Sequence, residues 1–384
     1  MSEPRVVVLG GGAVGLAFAA AAKGLEVRVL ESGPPRPAAD PDFFDARVFA
    51  LSPGTRAFLE AIGAWRRMPP DRIAEVLRMD VRGDDGSSRL DFAPPAGGPL
   101  AWIVEGNRLS RALAEAAAEN GVTLLNDVAP KSLQAGASGT RLERADGTVE
   151  TADLLVGSDG VDSWTRGALG LASTAKRYPE TALVAHFRCE KPTRGVARQW
   201  FRPDGILAWL PLPGDRLSIV WSARGDLAQD LAALEPAELA RRVRDAGGAE
   251  AGEMVLEGTP AVFPLRLVRV PQVVVPGAVL IGDAAHGVHP LAGQGVNLGF
   301  QDAKSLAEAL ATRSPLERPG DIALLRRHER ARRADVDAMQ FVTDRLEWLF
   351  GLEAPLASRF RNAGLRLVDA APLGKRLLVA HAMQ

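Results

Sequence analysis

Hydrophobic residues run along this chain in two periods, and the switches between them mark its elements. Arg5 to Leu9 is a β-branched and aliphatic run, the pattern of a parallel strand buried on both faces. A glycine turn follows, Gly10-Gly11-Gly12-Ala13-Val14-Gly15, then an alanine-rich helix to about Lys23, closed by Gly24. A second strand, Val27 to Leu30, ends at Glu31. Ser52 is a good N-cap, with Pro53 at the first helical position and Gly63 just past the end. The spacing predicts a further helix from about Leu109 to Asn120, a hairpin turn at Asp146-Gly147 and a strand to Val156.

From roughly Arg177 to Val270 the period shortens to that of an antiparallel meander, with turns at Pro203-Asp204-Gly205 and Pro213-Gly214-Asp215. A helical interlude near Leu227 to Ala246 interrupts it. Trp200, Phe201, Trp209 and Trp221 crowd the meander, and strand alternation sends some rings toward a pocket and others into the core. A short apolar strand, Ala278 to Ile281, then delivers Asp283 to a Gly/Pro-punctuated loop that opens a helix near Val296. The fold class expected is α/β, a Rossmann-like domain interleaved with an antiparallel sheet. Residues 1–75, 101–176 and 271–319 make the first domain, 76–100 and 177–270 the substrate sheet, and 320–384 a carboxy-terminal helical segment.

The candidate chemistry lies in three pieces. Gly10, Gly12 and Gly15 fit G-x-G-x-x-G, in which the turn around Ala13 and Val14 seats a pyrophosphate on a helix N-terminus. Glu31, some 20 residues on, suits ribose hydroxyls; an acid there argues for an unphosphorylated ribose, as in FAD or NAD. Asp283 at a strand end can accept hydrogen bonds from a polyol such as the ribityl chain of FAD. Gly293 and Gly295 let backbone approach a flat ring, and the helix start at Val296 and Asn297 favours an anionic reduced flavin. The third piece is Asp159-Gly160, an acid-glycine turn opening a helix.

In that order, with the run from Gly282-Asp283-Ala284-Ala285-His286 to Asp302, these motifs resemble the group A flavoprotein monooxygenases. More narrowly, the chain is similar to the ubiquinone-biosynthesis hydroxylases, with further matches around Asp45-Ala46-Arg47, Phe201 to Ser222, Phe263-Pro264-Leu265 and Arg361 to Leu365. The resemblance implies a para-hydroxybenzoate-hydroxylase-like fold, noncovalent FAD, NADPH or NADH as transient reductant, and O2 activated as a flavin C4a-hydroperoxide. The implied substrate is an aromatic ring, foremost a prenylated phenol. Asp159 would serve FAD and the passing nicotinamide, Arg47 would contact phosphate or flavin, and His289 and Pro290 would shape the pocket wall. Many relatives place Arg or Gln beside the flavin where this chain has Gly106, leaving Arg108 as a substitute. No catalytic base is assigned. A hydroxylase of a polyketide or benzoate, or a non-catalytic FAD-containing subunit of a quinone-biosynthesis assembly, would keep the same flavin motifs. A halogenase is disfavoured, because Trp209-Leu210-Pro211-Leu212-Pro213 is not its WxWxIP signature.

Bulk properties fit this picture. The 384 residues leave room for two domains, and a net charge of −1 offers no polycation for nucleic acid. One cysteine, Cys189, permits no internal disulfide and suits a reducing cytoplasm as a buried thiol. Tyr178 reads as packing. His286 and His289 lack a third ligand, so no metal is expected. The first strand begins within a few residues of the start, which leaves no signal peptide, and no apolar run reaches the ~18 residues of a membrane span. Residues 351–384 interleave apolar positions with Arg359, Arg361, Arg366, Lys375 and Arg376, a composition suited to peripheral contact with the inner membrane or a biosynthetic complex.

Overall fold

The computed structural model describes residues 3–37, 39–40, 43–85, 87–94, 98–288 and 295–351, the last six as backbone only. Its first sheet has six strands in the order Val274–Val275, Ala278–Leu280, Leu154–Gly157, Arg5–Leu9, Glu26–Leu30, Thr123–Leu125. All neighbours are parallel except the first pair. The aliphatic run at the chain start explains the centre. Val6 and Val8 face helices Ala13–Ala21, Gly106–Glu119 and Gly295–Ala311, while Val7 and Leu9 face a hairpin sheet of Pro130–Gly136, Gly139–Arg144 and Val149–Ala152. Burial on both faces is what a parallel strand requires.

The second sheet has eight strands in the order His286–Gly287, Met254–Arg269, Thr174–Cys189, Arg216–Arg224, Gly205–Leu212, Val196–Arg202, Arg78–Arg82, Arg89–Phe92. Only Val196–Arg202 through Arg216–Arg224 form a true meander; Thr174–Cys189 and Met254–Arg269 add on the far side, and Arg78–Arg82 pairs in parallel with Val196–Arg202. The helical interlude is two helices, Gly225–Ala232 and Pro236–Gly247. Pro236 starts the second because its missing N–H costs nothing at a first helical position.

These two helices cover one face of the eight-stranded sheet, and that settles the tryptophans. Trp200, Trp209 and Trp221 all pack beneath the helices, with Trp200 and Trp209 edge to face at 4.8 Å. A Cβ on Gly247 would lie 2.2 Å from the Trp209 ring, so that helix rests directly on it. Phe201, on the opposite face, packs with Val81, Leu90 and Ile206. All three indoles are buried in this core. Cys189 is buried in the same core, and burial pushes its thiol up to about 12. Tyr178 is buried with Ala182, Leu265 and Leu267.

A small sheet of Val48–Leu51, Ala101–Glu105 and Ala74–Val76 packs against the uncovered face of the large one through Ile103, Ala197 and Leu212. The helix expected from Leu109 starts at Gly106, because Asp45 Oδ2 accepts the Asn107 N–H at 2.8 Å. The carboxy-terminal helix is Ile322–Gly351; residues 352–384, and the contact expected of them, lie outside the described residues. Among the described residues, no helix is long and apolar enough to cross a membrane.

Candidate functional site

Three loops leave one edge of the parallel sheet. Leu9 is in register with Gly157 and Gly157 with Leu280, so the connections that follow these strands emerge side by side. This is the carboxyl edge, flanking a strand whose neighbours lead away to opposite sides, where open α/β sheets bind ligands.

Two glycines lock the loops together. Gly10 has φ +103°, and a Cβ there would lie 2.4 Å from the Ser158 carbonyl oxygen; one on Gly15 would lie 2.2 Å from the Gly10 oxygen. The Ser158 hydroxyl donates to the Leu9 and Gly10 carbonyls at 3.0 and 2.9 Å. Gly12 differs. A Cβ there would meet nothing within 4 Å, and no side chain caps helix Ala13–Ala21, which starts beside it. Open space before an uncapped helix N-terminus attracts an anion and fits the pyrophosphate of FAD. Glu31 borders the cradle, accepting the Gly11 and Gly33 N–H groups at 2.7 and 3.0 Å. Arg36, which no motif pointed to, adds a cation there by donating to the Gly11 carbonyl at 3.2 Å and to Ser110 Oγ at 2.5 Å.

Other expected residues have structural partners. Val14 fills the space left by two glycines: a Cβ on Gly282 would lie 3.2 Å from it and one on Gly299 2.6 Å. The Asp159 carboxylate accepts the Ser163 hydroxyl at 2.5 Å and both the N–H and hydroxyl of Thr165 at 2.8 Å, capping helix Trp164–Ala168. From that helix Arg166 donates to the Ala284 carbonyl at 2.9 Å and joins the acid-glycine turn to the Asp283 turn. Asn297 donates to the Ala50 carbonyl at 2.8 Å and accepts the Ser52 N–H at 3.0 Å, while Gly295 and Val296 open its helix. Arg108 also has protein partners: its Nε pairs with buried Glu105 at 2.7 Å and its Nη2 donates to the Asp40 carbonyl at 2.8 Å, bracing the segment before Arg47. His289, Pro290 and Gly293 lie outside the described residues.

Asp283 sits on the turn Gly282–Ala284, solvent-exposed but in a recess. Crowding by protein raises its carboxyl above the ordinary value; positive His286 and Arg47 pull it down, and Asp302 pushes it up. Arg47 itself is exposed, with its guanidinium carbon 5.4 Å from the centre of the Phe263 ring. Asp283→Ala is expected to weaken FAD retention ten- to a hundredfold with little change in folding, through loss of a charge-assisted hydrogen bond of about 1.5–3 kcal/mol. Titration of the apoprotein with FAD, read by flavin fluorescence, checks this; unchanged affinity removes Asp283 from the site.

Beneath the turn lies a network that the motifs did not reveal. Buried Asp302 accepts the Gly282 N–H at 3.0 Å, His286 Nε2–H at 2.5 Å and Arg332 Nε–H at 2.9 Å. Burial favours a neutral Asp302, yet His286 and Arg332 hold it well below the usual carboxylate range. Burial likewise opposes the His286 imidazolium, but Asp302 raises it above its ordinary value. Nearby His328 is driven by burial down to about 4, Asp302 opposing and Arg332 and His286 assisting. His286 is thus an ion-pair partner. No cluster of three or more His, Cys, Asp or Glu side chains suited to a metal occurs among the described residues.

The FAD binding domain family matches residues 3–341. The chain is 35% identical to the ubiquinone hydroxylase UbiL of Rhodospirillum rubrum, over 98% of this chain and 89% of that one. The chain belongs to the FAD-dependent ubiquinone-biosynthesis hydroxylase family. It is also 31% identical to the 3-demethoxyubiquinol 3-hydroxylase of Escherichia coli, over 99% of this chain and 98% of that one. Human ubiquinone biosynthesis monooxygenase COQ6 is 30% identical over 98% and 92%. The fold is shared with solved flavoproteins. PqsL of Pseudomonas aeruginosa superposes with a TM-score of 0.78 at 23% identity, covering 95% of this chain and all of that one. The p-nitrophenol 4-monooxygenase PnpA of Pseudomonas putida also gives 0.78, at 20% identity over 99% and 98%. FAD is the cofactor of the family that the chain matches.

Proposed function

We propose that the protein hydroxylates the ring of a prenylated phenol in ubiquinone biosynthesis, with NADPH or NADH as reductant and O2 as oxygen donor. The observation that carries this reading is the open cradle at Gly12 on the same sheet edge as Asp283, in a chain similar over nearly its whole length to ubiquinone hydroxylases. When bound, FAD supplies the redox chemistry that activates oxygen. The chain binds and orients. The backbone from Gly10 through Gly12, Ala13 and Gly15 receives the pyrophosphate, Glu31 a ribose and Asp283 the ribityl hydroxyls. The helix start at Gly295, Val296 and Asn297 faces the flavin ring, and Arg47 closes the opposite side.

In this reading residues 1–75, 101–176 and 271–319 serve the cofactor, and 76–100 with 177–270 exclude water over the substrate. Residues 351–384, with their paired apolar and basic positions, bring the protein to a lipid surface or a partner where such a phenol resides. Mass analysis of quinone intermediates in a strain lacking this protein tests the function. Accumulation of a species one oxygen short supports it; an unaltered quinone pool overturns it.

A further inference from the structure

Shortly after Glu31 the chain reads Gly33-Pro34-Pro35-Arg36-Pro37. Each proline ring fixes its own φ and keeps the residue before it extended, so Arg36, ahead of Pro37, stands on a stiff strut. The base of the strut is anchored, because the Gly33 N–H donates to Glu31 Oε1 at 3.0 Å. The strut carries a guanidinium to the glycine turn. Arg36 Nη2 donates to the Gly11 carbonyl at 3.2 Å, one peptide unit from the open space at Gly12. Its Nη1 donates at 2.5 Å to Ser110 Oγ, buried on helix Gly106–Glu119.

Both acceptors are neutral, and among the described residues no carboxylate pairs with this cation. Glu31, the acid that borders the cradle, already has its oxygens on the Gly11 and Gly33 N–H groups and the Ser32 hydroxyl. Arg36 therefore adds positive charge where the uncapped start of helix Ala13–Ala21 presents its own. We infer that Arg36 is a cofactor-binding residue, an arm held stiff by its prolines and braced on Ser110, whose guanidinium pairs with the pyrophosphate of FAD. A carbonyl at 3.2 Å is a long, neutral acceptor, whereas a phosphate oxygen makes a charge-assisted bond, so Nη2 gains by moving from one to the other. The inference rests on the pyrophosphate lying at Gly12 and adds the side chain that neutralises it, which the glycine motif does not contain.

Titration of the apoprotein with FAD, read by flavin fluorescence at about 0.05 M and about 0.5 M salt, tests it. Arg36→Gln should lower FAD affinity about tenfold at the lower salt and flatten its fall with salt. Thermal unfolding of that apoprotein should match the wild type, since Arg36 is exposed. Arg36→Lys, which keeps the charge without the fork, should retain the salt dependence and most of the affinity. Should Arg36→Gln fail to fold, Arg36→Lys decides alone: a flattened salt dependence with the charge still present overturns the inference. Affinity of Arg36→Gln within about twofold of the wild type, or an undiminished salt dependence, overturns the role of Arg36 and leaves FAD at Gly12. Normal FAD binding by Gly12→Val overturns instead the placement on which the inference rests.

Discussion

Replacing Gly12 by valine is expected to give a folded protein that no longer retains FAD. The backbone at Gly12 has φ −70° and ψ 176°, extended values that any residue adopts, and a Cβ there meets nothing within 4 Å. Stability should therefore change by no more than about 1 kcal/mol. The valine methyls would instead fill the space in which phosphate oxygens reach the helix N-terminus. Losing two charge-assisted hydrogen bonds, at about 1.5–3 kcal/mol each, predicts a fall in FAD affinity of at least about a hundredfold. The same substitution at Gly10 or Gly15 should behave differently, because a Cβ would lie 2.4 or 2.2 Å from backbone and the chain would not close. Thermal unfolding of the apoproteins, set beside the flavin absorbance of the purified variants, separates the two outcomes. A Gly12→Val protein that binds FAD like the wild type would show that the pyrophosphate lies elsewhere.

This contrast between neighbouring glycines also shows how far the residue pattern reaches. Signals contained in a few residues are legible. The strand Arg5–Leu9, the cap at Ser52 with Pro53, and the turns at Asp146-Gly147 and Pro203-Asp204-Gly205 all form where the sequence predicts. Information held by distant partners is not. Helix Gly106–Glu119 begins early because its cap is Asp45, 62 residues before Asn107. Arg108 cannot be known to pair with Glu105 until that acid is seen to be buried. Alternation divides the meander's aromatic residues between two faces, but only the packing of Gly225–Ala232 and Pro236–Gly247 decides which face is core. Asp302 closes the flavin motif by spacing, yet its work depends on His286, 16 residues away, and Arg332, 30 away.

Asp302→Asn should therefore be strongly destabilising even though it introduces no steric clash. The substitution keeps the shape of the side chain and removes the charge that holds His286 and Arg332. His286 can shed its proton, but Arg332 stays charged and keeps only Asp335, at 2.5 Å. Removing one partner of a buried ion pair costs about 3–5 kcal/mol, and the remaining Asp335 contact argues for the lower end. The loss should depend on pH with a definite sign. Asp302 is depressed when folded, so its contribution is present above the unfolded carboxylate value of about 3.9 and is lost as pH falls through the folded one. His286 is raised when folded, so its contribution is complete below about 6.5 and is lost as pH climbs through the folded value. The gap between wild type and variant should thus be widest from about pH 4 to 6.5 and narrow toward alkaline pH. Urea unfolding of the two apoproteins at pH 6 and pH 9 measures it, and equal midpoints at pH 6 would mean that the pair contributes nothing. Because Asp302 also accepts the Gly282 N–H, the variant should loosen the turn that presents Asp283 and release FAD more readily even where it remains folded.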